Sequence, residues 1–355
     1  MKILHVITSL QTGGAEKLMV DLLPRLRDLG NDVDLLLIDG TCTPFYEELE
    51  KYGIKIHYLS IGGNVYNPLN IFRLVKFIKR YDIVHTHNTA CQYYVPFAKI
   101  ISRAKCRLIT TEHNTHNRRR NYKIFKILDK FIYNQYKSII SISDKTTENL
   151  ENFIGKKNNI SIIYNGVDLS KFNNLKAPLL TLSDKIITMI AGFRPQKDQD
   201  TLIKAIAALP DEYNLWLVGD GERRTILENL VSELGISNRV KFCGICSDIP
   251  QILEQSRIIV LSSHWEGLSL SCIEGMASGR PFIASDVDGL CDIVGGYGIL
   301  FPHQDSKTLA KEILSLCENK EYYNKVALAC QEKAKQYDID IMAKKYNNVY
   351  LYVEN

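Results

Sequence analysis

Four groups of residues have types and spacings suited to chemistry. The first is Thr8-Ser-Leu-Gln-Thr-Gly13-Gly14-Ala-Glu16, a glycine turn feeding a helical pattern whose first amides could face a phosphate. A plain strand-to-helix turn would read the same way. The third glycine of the dinucleotide fingerprint is missing, which argues against a nicotinamide enzyme. The second group is a set of histidines, with His85 and His87 in a His-x-His pair, His113 in Thr-Glu-His-Asn, and His116 nearby. On a strand the first two rings share one face, where they suit a zinc ion, a structural polar cluster or a polar substrate. Glu112 is the only carboxylate beside them, so no metal is expected and at least one of these rings is read as a substrate contact. The third group, Ala191-Gly-Phe-Arg194-Pro-Gln-Lys197, precedes a helix starting near Asp198 or Asp200. Two cations at a helix N-terminus make a site for a diphosphate that needs no metal, or else stand as solvated loop charges. The fourth is His264-Trp-Glu266-Gly-Leu-Ser-Leu-Ser271-Cys-Ile-Glu274-Gly-Met-Ala-Ser-Gly279. Its two glutamates could reach one cleft, whereas Ser271 and Glu274 also fit a capping box.

These groups should follow strands. β-rich runs at residues 2–8, 32–38, 54–59, 83–85, 107–111, 138–141 and 160–163 alternate with helical periods, the pattern of a parallel sheet built from βαβ units. Turn formers from Tyr164 and a polar stretch reaching Ser183 interrupt the series. It resumes at 185–191, 214–218, 239–242, 257–261 and 281–285. The expected fold is α/β, with two Rossmann-like doubly wound domains facing a central cleft. Residues 1–175 form the first domain, residues 176–335 the second, and the helix at 336–355 packs back toward the first. Ligands of such sheets lie beyond the carboxyl ends of the strands.

Composition agrees with two domains. The chain has 355 residues, 45% hydrophobic and 24% charged, which excludes a disordered or fibrous protein. Its unbroken apolar runs fall far short of the ~18 residues a spanning helix needs. The start, MKILHVITSL, reads as a strand rather than a signal peptide, so a cytoplasmic protein is expected. Nine scattered cysteines suit reduced thiols better than a disulfide framework. The net charge of +4 hides a division: residues 1–175 are net +9 and residues 176–355 net −5. Residues 99–137 alone hold 11 basic and two acidic side chains.

Taken together, the motifs resemble the retaining nucleotide-sugar glycosyltransferases of family GT4, whose two Rossmann-like lobes are called the GT-B fold. The resemblance is carried by Gly13-Gly14-Ala-Glu, TEHN around His113, NGVD at 165–168, RPQKDQDTL from Arg194, Gly219-Asp-Gly-Glu222 and, most specifically, the glutamate pair from Glu266 to Glu274. It implies that the first domain takes the acceptor and the second the nucleotide sugar. It also implies that Glu274 holds the ribose, that Glu266 and His113 lie beside the transferred sugar, and that Lys197 holds the diphosphate. Gly13 and Gly14 would close over that diphosphate, Gly267, Leu268, Ser269, Leu270 and Ser271 would contact sugar and phosphate, and Gly244 would join the donor site. Gly192 stands where the family often has an arginine, which leaves Arg194 as the second cation. Three catalytic residues are therefore expected: His113, Glu266 and Lys197.

The donor implied is a UDP-linked hexose or N-acetylhexosamine, with no cofactor and no metal. The acceptor implied is a polyprenyl-diphosphate-linked sugar or a growing surface glycan. Arg118, Arg119, Arg120 and Lys123, interleaved with aromatics, are read as acceptor and membrane contacts on the inner face of the cytoplasmic membrane, against the alternative of a solvated helix face. A non-hydrolysing sugar-nucleotide epimerase or a transferase with a small soluble acceptor would share much of this site. No RNA or DNA motif is present, so no nucleic-acid partner is expected.

Overall fold

The computed structural model describes all residues except 12, 114–121, 173–174, 176–184, 247 and 355, together with the side chains of Lys123 and Ile124. Its two compact units are Met1–Gly166 with Ile339–Asn355, and Val167–Asp338. The chain changes unit earlier than the division expected at 175. The physical reason is that Val167 N–H donates to Tyr337 O at 2.8 Å and Val167 pairs with Asp338, which ties the turn-forming run to the second unit.

The first unit's sheet is parallel throughout. It comprises β1 (Lys2–Ile7), β2 (Asp32–Asp39), β3 (Lys55–Ser60), β4 (Ile83–His87), β5 (Arg107–Glu112), β6 (Ser138–Ser141) and β7 (Ile160–Ile162), in the order β3-β2-β1-β4-β5-β6-β7. Alternate residues face opposite sides. Ile3, Ile7, Leu35, Ile83 and Ile109 meet Leu18, Leu22 and Leu26 of the helix Gly14–Asp28, along with Tyr346 and Tyr350 of the helix Ile339–Glu354. Leu4, Val6, Val84 and Leu108 meet Leu74, Val95 and Tyr133 on the other side. Both faces are covered, as a parallel sheet requires.

The second unit repeats the plan with β8 (Lys185–Ile190), β9 (Tyr213–Val218), β10 (Val240–Gly244), β11 (Ile258–Leu261), β12 (Phe282–Ser285) and β13 (Ile299–Phe301), ordered β10-β9-β8-β11-β12-β13. The strand β13 adds to the five expected there. Among the described residues, no helix is long and apolar enough to cross a membrane.

Candidate functional site

In the second unit the strand order reverses between β8 and β11, so the loops that follow them flank the crevice where doubly wound sheets bind ligands. After β8, Arg194 leads into the tight turn Pro195–Lys197. Asp198, in the left-handed region at φ 47°, then caps the helix Gln199–Ala207 by accepting from Thr201 N. After β11 come His264, Trp265 and Glu266. Three hydrogen bonds lace the loops together: His264 N to Gln196 O at 2.8 Å, Gln196 Nε2 to Trp265 O at 2.7 Å, and Ser262 Oγ to Asp198 O at 2.7 Å.

The lacing brings Lys197 Nζ to 2.6 Å from Glu266 Oε1, which also accepts from Ser263 Oγ at 2.6 Å. Their side chains are 18% and 6% exposed, so each charge would be costly there without the other. Gly289 supports the same loop. It sits at φ 83°, and a Cβ on it would lie 2.3 Å from Glu266 O, so only glycine lets this backbone approach.

The helix Leu270–Ala277 begins one residue before Ser271, with Ser269 at its N-cap and no side-chain cap hydrogen bond. Ser271 is therefore inside the helix, and the capping-box alternative does not hold: Ser271 Oγ meets Ser269 Oγ at 3.0 Å. Glu274 lies half-buried one turn further on, while Leu268 and Ser269 are buried. Gly267 and Leu270 complete this stretch between Glu266 and the first helical turn. Arg194 is exposed and has no ion pair among the described residues. Gly244 ends the edge strand β10, where its carbonyl accepts from Gly219 N at 2.8 Å.

In the first unit, Gly13 is the N-cap of the helix Gly14–Asp28, in extended backbone, and the Glu16 carboxylate folds back over it. Asn88, directly after β4, donates to Thr8 Oγ1 at 3.0 Å and to Glu16 Oε1 at 3.2 Å, which joins the β1 and β4 loops at this sheet's own order reversal. His113 follows β5, and its Nε2 shares a hydrogen bond with His87 Nδ1 at 3.0 Å. His87 Nε2 shares another with His5 Nδ1 at 3.0 Å. His5 was not singled out in the sequence, yet β1–β4 register sets it directly opposite His85. His5, His85 and His87 are fully buried. Desolvation lowers His5 to about 3 and His113 to about 4, and holds His85 and His87 well below the usual imidazole range.

Among the described residues, two groups bring possible metal donors within 4.8 Å of one another: His5, His85 and His87; and Asp198, His264 and His303. Every ring nitrogen of the first trio already has a protein partner. In the second, His264 Nδ1 and His303 Nε2 share a hydrogen bond at 2.7 Å, and Asp198 is engaged by Thr201. His303 and Ser263 were not legible as site residues, because both are common surface or core types that only the fold brings in.

Residues 170–336 match the family described as glycosyl transferases group 1, and residues 12–171 match glycosyltransferase family 4. The chain belongs to the family 4 glycosyltransferases. Its two parallel-sheet units make it a GT-B enzyme. It is 25% identical over 358 residues to the N,N'-diacetylbacillosaminyl-diphospho-undecaprenol α-1,3-N-acetylgalactosaminyltransferase of Campylobacter jejuni, covering 92% of this chain and 94% of that one. It is 28% identical over 251 residues to the UDP-Gal:α-D-GlcNAc-diphosphoundecaprenol α-1,3-galactosyltransferase of Escherichia coli, covering 65% of this chain and 64% of that one. Anabaena HepE, solved in complex with UDP-glucose, superposes with a TM-score of 0.87 at 23% identity, over 99% of this chain and 100% of that one.

Within this glycosyltransferase, Arg118, Arg119, Arg120 and His116 lie outside the described residues, as does the side chain of Lys123. Just beyond them, the helix Lys123–Tyr133 exposes Ile127 at 77% and Phe131 at 45%, beside exposed Lys126 and Lys130. Asp129 of the same helix is buried and accepts from Tyr93 Oη.

Proposed function

We propose that this enzyme transfers a hexose or N-acetylhexosamine from a UDP-linked donor, with retention, to a polyprenyl-diphosphate-linked sugar or growing glycan. The observation that carries the reading is the laced pair of loops holding Lys197 against Glu266 at the second sheet's order reversal, with Glu274 on the next helix. A donor diphosphate would draw Lys197 away from Glu266, with Arg194 and the amides of the helix Gln199–Ala207 as further positive partners. Glu274 would take the ribose hydroxyls, residues 267–271 the sugar and phosphate, and Glu266 the transferred sugar. Gly13, Gly14 and Gly244 are assigned to the donor as well.

The bond from the anomeric carbon to the leaving phosphate oxygen breaks, and a bond to the acceptor oxygen forms on the same face. The acceptor's proton passes to the departing diphosphate. The anomeric carbon becomes oxocarbenium-like while negative charge gathers on the diphosphate, so cations fixed there favour the transition state over the ground state. His113 would contact the transferred sugar. No metal is needed in this scheme. The mixed basic and apolar helix Lys123–Tyr133 suits contact with an anionic lipid surface, which would bring the first unit to a lipid-linked acceptor on the cytoplasmic face.

The test is thermal unfolding against a panel of nucleotide sugars. The correct donor at about 100 times its Kd should stabilise by about 2.7 kcal/mol, and UDP-linked sugars should be the ones that do so. Protection by none of the panel would overturn the donor assignment. Release of a new nucleotide sugar without acceptor would instead identify an epimerase. Glu274→Gln should lose most transfer activity, because a neutral amide cannot replace the carboxylate on two ribose hydroxyls.

A further inference from the structure

Four histidines of the first unit, His5, His85, His87 and His113, join head to tail. His113 Nε2 faces His87 Nδ1 at 3.0 Å, and His87 Nε2 faces His5 Nδ1 at 3.0 Å. His5 Nε2 lies 3.3 Å from Tyr350 Oη, which lies 2.7 Å from His85 Nδ1. His85 Nε2 reaches Thr111 Oγ1 at 2.8 Å, and Thr111 Oγ1 reaches Tyr346 Oη at 3.2 Å. Desolvation lowers all four imidazoles, so they are neutral near pH 7. A neutral imidazole donates from one nitrogen and accepts at the other. In a chain linked Nε2 to Nδ1 throughout, every ring must carry its proton on the same nitrogen.

The far end sets the direction. Tyr346 is fully buried, and among the described residues Thr111 is the one hydrogen-bond partner of its hydroxyl. A buried O–H without an acceptor is costly, so Tyr346 donates to Thr111. Thr111 then donates to His85 Nε2, His85 Nδ1–H to Tyr350, and Tyr350 to His5 Nε2. His5 Nδ1–H donates to His87, and His87 Nδ1–H to His113 Nε2.

We infer that these groups form a one-way hydrogen-bonded chain that fixes His113 with its proton on Nδ1, so that it offers a donor to an oxygen of its ligand. Tyr350 and His5 are thus positioning residues for His113. The fit to a sugar hydroxyl rests on the reading of His113 as a sugar contact, but the position of the proton does not.

Long-range proton–nitrogen NMR on protein with 15N-labelled imidazoles, near pH 7 and without nucleotide sugar, reads which nitrogen bears the proton. The signals of His5, His85, His87 and His113, assigned by their loss in single His→Gln variants, should all report Nδ1–H. An Nε2–H form at any of the four overturns the inference. Tyr350→Phe cuts the chain, and His113 should change from a single tautomer to a mixture of both. A His113 that stays wholly Nδ1–H in that folded variant overturns the remote control, and if the variant does not fold the wild-type spectrum alone decides. His113→Ala tests the sugar contact separately: unchanged transfer would remove that contact and leave the tautomer result standing.

Discussion

In the second unit, Lys197 and Glu266 meet as a charged pair on loops at the strand ends. In the first, His5, His85 and His87 lie within the strands themselves, fully buried, and are neutral. A doubly wound sheet thus treats polarity in two ways. On the rim, where the proposed donor would bring its charge, the charges are paired with each other. Where a hydrogen-bonding direction has to be held, neutral groups lie under a helix that keeps water away. The cost differs accordingly, since a neutral imidazole needs only one donor and one acceptor, whereas a buried ion needs a counter-ion.

The largest effect expected from this contrast is on acid stability. The folded-state value of His5, about 3, lies below its unfolded value of 6.5, so as pH falls the unfolded chain takes up the proton first. The stability held above pH 6.5 is therefore lost as pH drops toward the folded values. Such an imidazole contributes up to about 1.4 kcal/mol per pH unit between its unfolded and folded values, so His5 alone gives roughly 1 kcal/mol between pH 6 and 5, and His85, His87 and His113 act in the same direction. Denaturant unfolding at pH 7, 6 and 5 measures this. A flat profile would mean that the rings take up protons without unfolding, and the contrast with the rim would collapse.

Lys197→Ala should lower transfer by about 30- to 1000-fold, equivalent to roughly 2 to 4 kcal/mol of transition-state stabilisation. It also leaves Glu266 buried without its cation. Adding Glu266→Gln should restore stability in thermal unfolding but not activity. If the double variant recovered activity, the pair would be structural.

A smaller effect is expected at the basic segment. Ser in place of Arg118, Arg119 and Arg120 should weaken flotation with anionic liposomes at about 0.1 M salt, each cation near such a surface being worth about 1 kcal/mol. Equal and negligible flotation of parent and variant would favour a soluble acceptor. The smallest expected effect is that of EDTA: transfer should persist in excess chelator. Loss restored by a divalent ion would turn attention to Asp198, His264 and His303.

The strands and the loops bearing Lys197, Glu266 and His113 were legible because alternation and glycine-rich turns are local signals. His5 was not, because a single histidine in an apolar strand reads as core, and its partners lie about 80 residues away by β1–β4 register. The three-residue strand Ile299–Phe301 is too short to show a period. The Ser271 to Glu274 spacing did signal a helix start, but the first helical residue is Leu270, which changes the job open to Glu274. Such one-residue offsets are decided by packing rather than by pattern.

The helix Ile339–Glu354 closes the first unit although the whole of the second unit precedes it in the chain. During synthesis the strands carrying His5, His85 and His87 leave the ribosome early, but the tyrosines that cover them come last. The second unit, continuous from Val167 to Asp338, can complete its core while that face of the first sheet, apolar except for its histidines and Thr111, is still uncovered. The order of maturation in the cell should therefore run against the order of the sequence, with the front of the protein waiting on its tail.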